Sequence, residues 1–155
     1  MELKDILIDQ SKMTARKLNP FKALVENATK NKTDEEFNTL FTTFFKLENL
    51  YFVAPPREDW QNSGPFIGNI NKQPCIFTFT DITMAFDFCM NTKGFQWEKD
   101  KAFIMHLPMA ECIPLFKELA RKGIFGIRIN EGSTGFFLPM SHLEGILEHI
   151  SPAKK

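Results

Sequence analysis

At 155 residues the chain is long enough for one domain with a real core, and its 43% hydrophobic and 25% charged residues are those of a folded globular protein. Nineteen basic and nineteen acidic side chains cancel and are spread along the whole chain, which argues against a nucleic-acid partner or an anionic membrane surface. No apolar run approaches the length of a membrane span, so no membrane role is expected.

Phe is used 17 times against one Tyr and two Trp, so most of the aromatic area belongs in a core, without polar handles to satisfy. Three cysteines, Cys75, Cys89 and Cys112, are an odd number without short pair spacing. The charged start Met1-Glu2-Leu3-Lys4-Asp5 leads into no apolar secretion segment. Free thiols in a reducing cytoplasm are therefore expected.

Residues 2–18 are read as an N-terminal extension with roughly helical spacing of Leu3, Ile6, Leu7, Met13 and Leu18. Asn19-Pro20 is a cap-and-first-turn signal for a helix carrying Phe21, Leu24, Val25 and Ala28. Thr33-x-x-Glu36 has capping-box spacing, and Phe37, Leu40, Phe41, Phe44 and Phe45 then form a wide apolar stripe, predicting a helix over 34–46. Leu50–Val53 reads as a strand stopped by Pro55-Pro56, followed by a polar loop over 54–65. Phe66–Ile70, a turn at Asn71-Lys72-Gln73 and Cys75–Thr80 read as a hairpin. Thr80 or Asp81 caps a helix carrying Ile82, Ala85, Phe86 and Cys89, which Lys93-Gly94 ends.

Ala102–Leu107 is the next strand. A helix follows over 109–122, starting near Ile113 or kinked at Pro114. Gly123–Pro139 reads as a buried strand, an Asn/Gly-rich turn and a return strand. Ser141-x-x-Glu144 opens a last helix, and residues 151–155 are a tail. Strand, helix, strand, helix, strand over 75–130 implies parallel strands joined by right-handed crossovers. The predicted class is α/β (α+β): a single domain over 19–150, with a mixed sheet of five to six strands, a βαβαβ core, a C-terminal hairpin and flanking helices.

Several of these pieces, in this order, carry a family likeness. They are Asn19-Pro20-Phe21-Lys22-Ala23-Leu24, the Phe37/Leu40 helix, Leu50-Tyr51-Phe52-Val53 and Ile76-Phe77-Thr78-Phe79-Thr80-Asp81. Gly123-Ile124-Phe125-Gly126-Ile127-Arg128-Ile129-Asn130, Gly132 and Leu138-Pro139 complete them. Together they resemble the SseB family, the enhanced serine sensitivity proteins of bacteria, over about residues 19–150. Glu131 stands where the family has Pro, the second domain of some members is missing, and the first 18 residues fall outside the likeness. The resemblance implies a bacterial cytoplasmic α/β domain without established enzymatic activity, and it supplies no catalytic residues.

The candidate chemistry is sparse. Asn130-Glu131-Gly132-Ser133-Thr134-Gly135 leads into the strand-like Phe136-Phe137-Leu138 and not a helix, so it reads as a hairpin turn and not a phosphate cradle. His106, His142, His149 and the cysteines lack zinc-ligand spacing, and no metal or cofactor is expected. Two function classes stay open. The first is a non-catalytic interaction module for a protein partner. Its candidate surface combines Arg57 and Trp60 on the loop after the two prolines with Tyr51, Thr78, His106 and Arg128 on a mixed sheet face. On that reading the opposite, uniformly apolar face carries Leu50, Phe52, Phe77, Phe79, Phe103, Met105, Phe125, Ile127 and Ile129, under both crossover helices. The competing reading of the mixed face is cover by the N-terminal helices, with Arg128 paired to a nearby acid. The second class is a metabolite-binding domain or enzyme with a pocket at the C-terminal ends of the parallel strands, near Thr80, Asp81, Leu107, Asn130 and Glu131.

Overall fold

The computed structural model describes residues 6–9, 11, 21–62, 64–132 and 134–150. They form a mixed sheet of eight strands with five α-helices. In chain order these are β1 (Leu7–Asp9), α1 (Lys22–Asn31), α2 (Asp34–Phe45), β2 (Asn49–Ala54), β3 (Ile67–Ile70), β4 (Gln73–Phe79) and α3 (Ile82–Met90). Then come β5 (Gln96–Trp97), β6 (Lys101–Pro108), α4 (Met109–Arg121), β7 (Gly126–Ile129), β8 (Phe136–Pro139) and α5 (Leu143–Ile150). The strand order is β1-β6-β2-β4-β7-β8, with β3 beside β4 and β5 beside β6.

The predicted βαβαβ core is present, with β2 inserted into it. Strand β2 pairs antiparallel with β4 on one side and β6 on the other, while β7 lies parallel to β4. The connection from β4 through α3 therefore passes over β2 in one direction. The connection from β6 through α4 to β7 returns in the other. Crossovers of one hand that travel in opposite directions along a sheet lie on opposite faces. Helices α1, α2, α4 and α5 share one face, burying Leu50, Phe52, Ile76, Ile127, Ile129 and Leu138. Helix α3 covers the other, where Ala85, Phe86 and Cys89 meet Val53, Cys75, Phe77, Phe79 and Ile104.

This corrects the expectation that both crossover helices share one face. It also reverses the parity of β4. Thr78 is paired with Phe52 and Ile129, and Phe77 with Arg128, so Phe77 and Phe79 belong to the face of Tyr51, His106 and Arg128. Side chains alternate reliably within a strand, but the phase between strands is set by register. The mixed face is thus a second core over much of its area. Its cover is α3 and not the N-terminal helices, and Arg128 does pair with an acid, Glu131.

The local signals explain most element ends. The Thr33 hydroxyl accepts a bond from the Glu36 amide at the start of α2, and the Asp81 carboxylate accepts one from the Thr83 amide at the start of α3. Asn71 and Lys72 both have positive φ (51° and 67°), the two-residue turn whose twist suits a tight hairpin. Helix α4 starts at Met109, with Pro108 at its N-cap position, and runs through Pro114 without a break, so it begins a turn earlier than the expected start near Ile113. Ser141 lies within a 3-10 turn over Met140–His142, ahead of α5, instead of standing at the helix start.

The N-terminus departs most from expectation. Residues 7–9 are a strand paired with β6, not helix, and Ile6 and Ile8 are buried. They seal the sheet edge at Phe103 and Ala102 and so belong to the fold rather than outside it. Residues 2–5, 10 and 12–18 of the expected 2–18 helix and the Asn19-Pro20 cap lie outside the described residues.

Candidate functional site

The six residues expected to share a surface are separated by the fold. Tyr51 and His106 are brought together on adjacent strands, with ring centroids 6.1 Å apart. Burial pushes the Tyr51 phenol pKa up, helped by the charges of Asp81 and Glu48. Arg128 lies two strands from Tyr51 on the same face, and its Nε donates to Glu131 at 2.5 Å. Thr78 is not on this surface: it is fully buried on the opposite face, and its hydroxyl has no hydrogen-bond partner among the described residues. Arg57 clamps Asp59 through two bonds of 2.6 and 2.7 Å on an exposed loop. Trp60 folds back against Ile6, Ala54 and Phe103 and is a core cap instead of a free anchor.

At the C-terminal ends of β4 and β7, Asn130 is fully buried and left-handed, with φ 59°. Its Oδ1 accepts from the Thr80 amide at 3.0 Å, its Nδ2 donates to the Thr80 hydroxyl at 3.1 Å, and its own amide donates to the Thr78 carbonyl at 2.9 Å. These groups pin the two parallel strands together, so Asn130 and Thr80 are engaged with each other. Asp81 is engaged at the α3 cap, and Leu107 packs against the helix-covered core. The neighbouring hollow, beside Met84, Asp87, Phe88 and Glu131, holds about 240 Å³.

The three thiols are free and buried. Burial alone drives the Cys89 pKa to about 12, and it is the main cause that takes Cys112 to about 11. Neither is a ready nucleophile, since the thiolate is the reactive form. Among the described residues no group of three or more His, Cys, Asp or Glu is placed to hold a metal, and no helix is long and apolar enough to cross a membrane.

The larger hollow is elsewhere, in a place the candidate residues did not mark. A groove of about 670 Å³ runs along β8, which among the described residues pairs with β7 alone, between α2 and α5. Helix α2 presents Asp34, Phe37, Asn38 and Phe41 to it, which is one face at i, i+3, i+4 and i+7. The other wall presents His142, Gly145, Ile146 and His149 at the same spacing. The floor is Phe137 and Pro139 of β8. Phe37 is 36% exposed and stacks on Phe41 at 6.4 Å. Around the strand edge, Phe125 is 45% exposed and stacks on Phe137 at 5.7 Å. Gly126 makes room for this pair, because a Cβ there would stand 2.3 Å from the Phe137 ring.

The signal for this site was present in the sequence as surplus. Phe37 extends the α2 stripe beyond what one core face needs, and Gly145, Ile146 and His149 on α5 continue the face of His142 in the turn before it. Compared with protein-family models, curated proteins and solved structures, the chain matches none of them.

Proposed function

We propose that this domain is a non-catalytic protein-interaction module, SseB-like and working in a bacterial cytoplasm, that docks its partner in the groove between α2, β8 and α5. The observation that carries the reading is the aromatic floor and rim of that groove: Phe37, Phe41 and Phe137 line an open surface hollow, and Phe125 extends the apolar area around the edge. Contiguous apolar surface of this kind marks protein-interaction sites or ligand grooves. The metabolite-site alternative has less support. Its hollow of about 240 Å³ is smaller than the ~300–1,000 Å³ usual for such ligands, and Asn130 and Thr80 are spent on each other.

The test compares proteins captured from host lysate by the wild-type chain and by two groove variants, Phe37→Glu and Gly145→Trp. A Cβ at Gly145 meets nothing within 4 Å, so a side chain there starts in open space on the groove wall. A partner retained by wild type and lost by both variants is expected. Equal capture by all three, or no capture by wild type, overturns the reading.

A further inference from the structure

We draw no further inference here: the strongest candidate, the apolar groove between α2, β8 and α5, already carries the proposed docking role, and nothing in the structure shows what covers it.

Discussion

Thr78 shows how one side chain can be wrong for its surroundings and still be carried by the fold. Its β-branched shape suits a strand buried on both faces, yet its hydroxyl lies in an apolar layer with Phe52 and Ile129 beside it and no described hydrogen-bond partner. An unsatisfied buried hydroxyl costs about 1–3 kcal/mol, and an apolar group of the same shape removes that cost. Thr78→Val is therefore expected to stabilise the protein by about 1 kcal/mol, a rise of ~2–4 °C in Tm for a chain of this size. Calorimetry showing a lower Tm would mean that the hydroxyl has a partner after all. Asn130 is the opposite case. It is as deeply buried as Thr78, but its amide is satisfied by Thr80, and its left-handed backbone is one that Asn tolerates better than most residues.

At the scale of elements, helices α4 and α2 solve the same packing problem differently. Helix α2 has a side-chain cap, an acidic first turn and a stripe of Leu40, Phe41, Phe44 and Phe45. Each of those large side chains is worth roughly 1.5–3 kcal/mol when buried. Helix α4 has no side-chain cap and contains Pro114, which cannot donate to the Ala110 carbonyl one turn earlier. It holds its shape because Met109, Cys112 and Phe116 are buried against β2 and β6, so tertiary packing outweighs the local penalty. Pro114 itself is exposed. Pro114→Ala is expected to raise stability by up to ~3 kcal/mol, with unchanged helix content by circular dichroism. A destabilised variant would show that the proline is holding the N-terminal turn in place.

At the scale of the whole molecule, the described sheet ends in β1 on one side and β8 on the other. Strand β1 covers the N-terminal part of β6, with Ile6 and Ile8 buried, while β8 pairs with β7 alone among the described residues and borders the groove. The β1 edge is structural. Deleting residues 1–9 exposes the surfaces those two side chains cover and is expected to cost on the order of 3–6 kcal/mol. Urea unfolding should show a clearly lower midpoint. An unchanged midpoint would mean that β1 is not part of the cooperative unit.

Much of this protein was legible in one dimension, because the signals are local. The Thr33 and Asp81 caps, the Asn71-Lys72 turn, the α2 stripe and the strand–helix–strand–helix–strand order over 75–130 depend on residues within a few positions of each other, and each recurs in the fold. What the tertiary structure alone decided is the relation between distant strands. Alternation splits β4 into two lines of side chains but does not say which line joins Phe52 and which joins Tyr51. Register does, and a slip of one residue exchanges the faces. The insertion of β2 between β4 and β6 sends the two crossovers in opposite directions, so α3 and α4 take opposite faces and the mixed line of residues becomes a second core. The groove is hidden from the sequence for the same reason. Phe37, Phe137 and Ile146 are more than 100 residues apart at their extremes, and only the return of β8 to the sheet edge, between α2 and α5, makes them one surface.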